Sequence, residues 1–137
     1  MHKQMRFFLL VLALLAISVS VAGGAKPFLG TWINVNPDTG GLTKLVIVQK
    51  GAGYTVRGFG KCHPTDCDWG IVNLHFLGYS VTDTDFQWGM ATWDHGFKTT
   101  TLIINLEGDK MIAVTYDVFA PGDTRSNYRS TFLLKKS

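Results

Sequence analysis

The sequence of 137 residues has only two cysteines, and a single glutamate, Glu107, stands among its ten acidic residues. Several enzyme patterns are also missing: there is no Gly-x-Ser-x-Gly, no His-Glu-x-x-His, and no Cys-His-Asn order in a helical context. The second cysteine pair that structural zinc sites normally use is absent as well. These absences leave an enzyme without positive support, and we expect neither a cofactor nor a metal.

The N-terminus has the layout of a secretory signal peptide. Residues 1–25 begin with a short basic lead, continue with an apolar run over 7–17 and end in small residues, with cleavage positions after Ala22 or Ala25. The apolar run is short for a membrane span, and no basic stop-transfer cluster follows it. The pattern predicts a secreted or periplasmic protein that has no membrane contact after cleavage; an uncleaved anchor is the alternative.

The remaining segment, residues 26–137, has the length of a single domain with its own hydrophobic core. Two of the thirteen basic residues and none of the ten acidic ones lie in the leader, so this domain carries a net charge of +1. Its basic residues are scattered, and only Lys135 and Lys136 are adjacent. Because nucleic-acid binding needs a basic patch or stripe, we expect no nucleic-acid partner.

Short segments in which apolar and polar residues alternate are separated by clusters of Gly, Asp, Asn or Pro, a pattern typical of β-strands joined by turns. No apolar stripe at helical spacing occurs beyond the leader. The predicted fold is all-β, an antiparallel up-and-down meander that closes into a barrel because closure removes unpaired edges; a two-sheet sandwich is the alternative. Its eight predicted strands are residues 28–35, 42–50, 54–61, 69–78, 85–93, 98–108, 110–120 and 128–136.

The first of these strands, "FLGTWINV", contains Gly30-Thr31-Trp32. This motif resembles the first-strand signature of the calycin superfamily, which includes avidins, lipocalins and fatty-acid-binding proteins. The resemblance implies a barrel closed at one end by Trp32 and a covering arginine from the last strand, here Arg129. The middle Thr-Asp-Tyr signature of lipocalins and the biotin-site residues of avidins are missing, so the resemblance implies a barrel without naming a ligand.

Both cysteines lie in "GKCHPTDCDWG", residues 60–70. In an oxidising compartment Cys62 and Cys67 are expected to form a disulfide that fixes this turn at the barrel rim. A metal site that uses the cysteines with neighbouring histidine and aspartate is an alternative, and free thiols are another. The turn either stiffens a hairpin or forms part of a binding rim, whose candidate residues are His63, Thr65, Asp66, Asp68 and Trp69.

Trp88 and Trp93 lie on one predicted strand, and their spacing of five places them on opposite faces unless a bulge at Gly89 realigns them. An outward Trp93 would offer a surface on which a sugar ring can stack; otherwise both tryptophans belong to the core. Asn73 and His75 share the parity of Trp69 and Ile71, so they point into the barrel if Ile71 does.

We therefore predict a secreted small β-barrel that binds a small molecule or a glycan. A protein that binds a protein partner, for example as an inhibitor, through the Cys62–Cys67 loop is one alternative, and a small secreted hydrolase or isomerase is another. A cavity would favour a small ligand. The candidate ligand-binding residues are His63, Thr65, Asp66, Asp68, Trp69, Asn73, His75, Trp88, Trp93 and Tyr116.

Overall fold

A computed structural model describes residues 24–137, so the predicted signal peptide lies almost wholly outside the described residues. A short 3₁₀ helix over Lys26–Phe28 precedes the strands. No helix in the described range is long and apolar enough to span a membrane. The strands are β1 (Gly30–Asn34), β2 (Leu42–Lys50), β3 (Gly53–Gly60), β4 (Cys67–Asn73), β5 (His75–Leu77), β6 (Trp88–Asp94), β7 (Lys98–Glu107), β8 (Lys110–Phe119) and β9 (Tyr128–Lys136).

The nine strands form one antiparallel sheet in the order β4-β3-β2-β1-β9-β8-β7-β6-β5. Every neighbouring pair is consecutive in sequence except β1 and β9, whose pairing joins the two ends of the domain. The sheet curls into a nearly closed up-and-down barrel, which confirms the predicted all-β meander over the two-sheet sandwich. Four connections lie at one end of this barrel: residues 35–41, 61–66, 95–97 and 120–127.

The predicted fourth strand is divided in two, which raises the count from eight to nine. β4 pairs with β3, and β5 pairs with β6, so the chain changes partner at Leu74. Leu74 is buried, and its amide still donates to the carbonyl of Tyr54 on β3 (2.9 Å). The edge strands β4 and β5 are therefore held together at this point. Nearer the end with the four connections, a seam remains between β4 and β6. The Trp93 indole bridges that seam by donating to the carbonyl of Gly70 (3.0 Å).

Trp32 closes the opposite end of the barrel. It is 2% exposed, and its indole Nε1 donates to the carbonyl oxygen of Phe28 in the 3₁₀ helix (2.9 Å). The prediction that Arg129 covers Trp32 was wrong. Lys136 lies over the Trp32 ring instead, with its Nζ 5.3 Å from the ring centroid. The register explains this, because Trp32 pairs with Lys136, whereas Arg129 has the opposite parity and pairs with Tyr116 at the other end.

The barrel interior changes character along its length. Near Trp32 it is filled by buried apolar side chains from β1, β2, β3, β6, β7, β8 and β9. Towards the four connections, the inward positions of β7, β8 and β9 carry polar or aromatic side chains instead, including Thr100, Thr115 and Asp117. The apolar core consists of Phe28, Trp32, Leu42, Leu45, Ile47, Val56, Leu74, Ala91, Trp93, Leu102, Ile104, Met111, Ala113 and Leu134.

Candidate functional site

A cavity of about 550 Å³ occupies the polar end of the barrel. The connection 61–66 and Cys67 form part of the mouth, and the starts of β7 and β9 and the end of β8 contribute to the walls. This volume lies within the range of small-molecule sites. The cavity is lined by Thr39, Gly40, Gly41, Leu42, Gly60, Lys61, Cys62, Cys67, Asp68, Trp69, His95, Phe97, Lys98, Thr115, Asp117, Tyr128, Ser130 and Phe132.

Buried Asp117 is held by two neighbours from β7. The hydroxyl of Thr100 donates to Asp117 Oδ1 (2.7 Å), and Lys98 Nζ forms an ion pair with the same oxygen (2.9 Å). Lys98 also donates to the hydroxyl of Tyr128 (3.3 Å). Burial acts to lower the pKa of Lys98, but the hydrogen bonds to Asp117 and Tyr128 outweigh it and raise the pKa above its ordinary value. Lys98 is therefore an ammonium ion at neutral pH.

His95 completes this network at the turn between β6 and β7. Its Nε2 lies 3.2 Å from the hydroxyl of Thr100. Because that hydroxyl gives its only proton to Asp117, Thr100 must accept from His95, which places the proton of the neutral imidazole on Nε2. Burial and the nearby positive charge of Lys98 lower the pKa of His95. The ring is thus kept neutral to lower pH than a free histidine.

Trp69 forms the wall beneath the disulfide. The inward positions of β3 next to it are Gly58 and Gly60, and a Cβ on either glycine would lie within 2.9 Å of Trp69 ring atoms. The indole therefore lies directly on the β3 backbone, in space that side chains would otherwise occupy. Its ring also packs against Trp93 (centroids 5.4 Å apart) and His95 (5.8 Å). Trp69 is only partly buried because its remaining surface faces the cavity.

The predicted disulfide between Cys62 and Cys67 is confirmed, with the two Cα atoms 5.4 Å apart. Both sulfurs are therefore occupied, which removes them from the alternative metal site. Among residues 24–137 no group of three or more His, Cys, Asp or Glu side chains is arranged to hold a metal ion. The bridge borders the cavity, so the constrained turn contributes directly to its mouth.

The polar residues of the turn are directed elsewhere. His63 and Thr65 are exposed and do not line the cavity. Asp66 accepts a hydrogen bond from the hydroxyl of Thr43 (2.7 Å). Asp68 borders the cavity, but its carboxylate is paired with Arg57. Hydrogen bonds from Arg57 and from the amide of Gly70 lower the pKa of Asp68 to about 2.

The remaining predicted site residues do not share the cavity. Asn73 and His75 are exposed, as is Ile71, and they line a groove on the outer surface of the seam. The predicted parity with Trp69 was wrong, because a bulge in the β3–β4 pairing at this tryptophan turns it towards the cavity. Trp88 packs edge-on against Tyr79 (5.1 Å). Trp93 lies on the opposite face from Trp88, as the spacing predicts, and at 2% exposure it belongs to the core rather than to an outward stacking surface.

Tyr116 also faces outward, with 42% of its surface exposed, and the Arg129 guanidinium lies over its ring at 5.7 Å. The neighbouring positions of β8, Thr115 and Asp117, point inward and line the cavity. The predicted site residues did not include those of the polar network or the hydroxyl-bearing residues of the cavity wall: His95, Lys98, Thr100, Thr115, Asp117, Tyr128 and Ser130. The available signal was parity, since Thr115 and Asp117 continue the alternation of the buried Met111 and Ala113.

The polar side chains beside this cavity are held by hydrogen bonds to one another. Thr100 is 1% exposed, and its hydroxyl proton is given to a carboxylate rather than to a base, so it is not arranged as a nucleophile. What the cavity presents instead is a fixed set of hydrogen-bonding groups beside aromatic walls. Comparison of the sequence with protein-family models finds no match, and neither do searches of curated proteins and of solved structures.

Proposed function

We propose that the protein is a secreted, calycin-like binding protein that takes a small molecule into the cavity at the open end of its barrel. The observation that carries this proposal is the cavity itself, about 550 Å³ in volume, with the buried, hydrogen-bonded carboxylate of Asp117 at its wall. Few, well-placed polar groups among aromatic side chains are typical of small-molecule sites.

Three features support the other parts of the proposal. The leader-like N-terminus and the disulfide favour an oxidising compartment. Trp32, in the Gly-x-Trp motif, closes the far end of a nearly closed barrel, as the calycin resemblance implies. The disulfide fixes one side of the cavity mouth, and a site whose shape is already fixed binds with a smaller loss of conformational entropy. The two alternatives, a protein that binds a protein partner and a hydrolase or isomerase, stay predictions, because no comparable feature of the described residues supports them.

A fragment screen by ligand-observed NMR tests the proposal. Fragments are expected to bind the native protein and to lose binding when Ser130, which lines the cavity, is changed to Phe. Thr131→Phe is the matched control, because the adjacent side chain points out of the barrel. Gly40→Phe is a second blocking variant, since a Cβ on this cavity-lining residue meets no atom within 4 Å. Fragment binding that survives both blocking variants would contradict the proposal.

A further inference from the structure

The Asp117 carboxylate has one oxygen committed and one free. Thr100 and Lys98 both bind Oδ1, and no hydrogen bond to Oδ2 occurs within residues 24–137. No fully buried side-chain oxygen or nitrogen in that range lacks a partner, so Oδ2 must be accessible. Since Asp117 is 5% exposed and lines the cavity, the accessible oxygen faces the cavity. It can accept a hydrogen bond from a ligand.

The charge at this wall is balanced. Lys98 Nζ lies 2.9 Å from Asp117, so the pair presents one negative and one positive group with no net charge. The other two charged residues of the lining change this little: Asp68 is paired with Arg57, and Lys61 is exposed to solvent at the mouth. A ligand cation bound to Asp117 would lie close to the ammonium of Lys98, and a ligand anion bound to Lys98 would lie close to the carboxylate of Asp117. Each would therefore be repelled by a nearby charge of its own sign. The pair therefore favours an uncharged group that donates one hydrogen bond and accepts another.

The other walls suit a ring that carries hydroxyl groups. Trp69 rests on the β3 backbone and offers its remaining surface to the cavity, where the C–H groups of a saturated ring can pack against it. Thr115 and Ser130 add two hydroxyls, each of which can both donate and accept. A protein wall that both donates and accepts hydrogen bonds is best matched by a ligand with hydroxyl groups on neighbouring carbons, because each hydroxyl also donates and accepts.

We propose that the cavity binds a neutral sugar ring, with one hydroxyl donating to Asp117 Oδ2, a neighbouring hydroxyl oxygen accepting from Lys98 Nζ, and the ring carbons packed against Trp69. This inference rests on the proposed small-molecule function and specifies its ligand class. It assigns the selectivity of the site to the balanced Lys98–Asp117 pair.

The test is a titration of the purified protein, followed by NMR of its tryptophan indole N–H signals. The probes are the methyl glycosides of glucose, galactose and mannose, each beside its 2-amino derivative and its uronate. We expect at least one neutral glycoside to shift the Trp69 signal and to bind at least tenfold more tightly than its two charged derivatives. A charged derivative that binds as tightly as the neutral glycoside would overturn the inference.

Two variants invert the charge preference. Asp117→Asn leaves Lys98 unbalanced and is expected to favour the uronate, whereas Lys98→Gln leaves Asp117 unbalanced and is expected to favour the amino sugar. Asp109→Asn, at the turn between β7 and β8 and remote from the cavity, is the matched control that leaves the ranking unchanged. If Asp117→Asn does not fold, the inference is still tested by Lys98→Gln and by the order in which the native protein binds the neutral, amino and uronate glycosides. An unaltered ranking in Lys98→Gln would overturn the assignment of selectivity to the pair.

Failure of this inference is distinguishable from failure of the proposed function. If fragments bind in the cavity and no neutral glycoside does, the sugar class is wrong and the binding function stands. The same holds if a cyclic amide such as 2-pyrrolidone binds in preference to every glycoside. If neither fragments nor glycosides bind, both proposals fail together.

Discussion

Replacing Thr100 by Val tests whether the polar network stabilises the barrel as its geometry implies. Valine has nearly the same shape and suits a strand, so the change removes the hydroxyl and little else. Thr100 is 1% exposed, and its hydroxyl accepts from His95 (3.2 Å) and donates to Asp117 (2.7 Å). The variant loses both bonds at a site that water does not reach readily.

The expected cost follows from the two bonds. A hydrogen bond to a charged group contributes about 1.5–3 kcal/mol, and a neutral one about 0.5–1.5 kcal/mol. Asp117 keeps its ion pair with Lys98, and His95 is only partly buried and can turn towards water, so the second bond contributes little. We expect Thr100→Val to lower the free energy of unfolding by about 2–3 kcal/mol, or the melting temperature by about 10 °C.

Urea unfolding of three variants makes this measurement specific. Thr100→Ser keeps the hydroxyl and is expected to retain most of the stability that Val loses. Thr99→Val is the matched control, because the neighbouring side chain points away from the network. Equal losses for Thr100→Val and Thr100→Ser would show that the site responds to volume alone. A loss for Thr100→Val no larger than that of Thr99→Val would refute the network.

Three other changes have defined outcomes. Trp93→Phe removes the bond to Gly70 across the seam (3.0 Å), so amide hydrogen exchange should accelerate in β4 but not in β8; unchanged exchange would exclude a bridging role. Because burial and Lys98 lower the pKa of His95 below 6.5, the unfolding free energy should decrease as pH falls below 6.5, and His95→Gln should flatten that slope. Changing Cys62 and Cys67 to Ser together should cost about 2 kcal/mol in thermal unfolding, the entropy expected for so short a loop, and no loss would assign the bridge no stabilising role.

The strands of the barrel could be predicted because alternation and turn residues both mark them. Seven of the eight predicted segments coincide with single strands to within a few residues. The exception, "WGIVNLHFLG", contains no glycine or proline at the point where β4 gives way to β5. The change of partner at Leu74 depends on which strands flank the segment on each side, and no local residue encodes that.

The site was harder to predict because the half of β8 nearer the cavity reverses the usual rule that apolar side chains are buried and polar ones exposed. Its outward side chains include Ile112, Val114, Tyr116 and Val118, whereas its inward ones include Thr115 and Asp117. Hydrophobicity alone therefore selects the wrong face at the cavity end, and the candidate ligand-binding residue Tyr116 faces outward. The alternation from Met111 and Ala113 would have corrected the error.

β7 and β8 are apolar inside the barrel near Trp32 and polar near the cavity, and this difference needs an explanation. The inward positions of β7 are Ile104 and Leu102 near Trp32 and Thr100 near the cavity, and those of β8 change in the same direction from Ala113 to Asp117, so both strands are apolar at one end of the barrel and polar at the other. Burying a carboxylate and an ammonium costs several kcal/mol per ion, and apolar residues of similar volume usually replace such a pair without loss of stability. Stability alone therefore gives no reason to keep the pair. A ligand that binds the free oxygen of Asp117 does give a reason to keep the pair, because residues that break the regular pattern of a fold concentrate at functional sites.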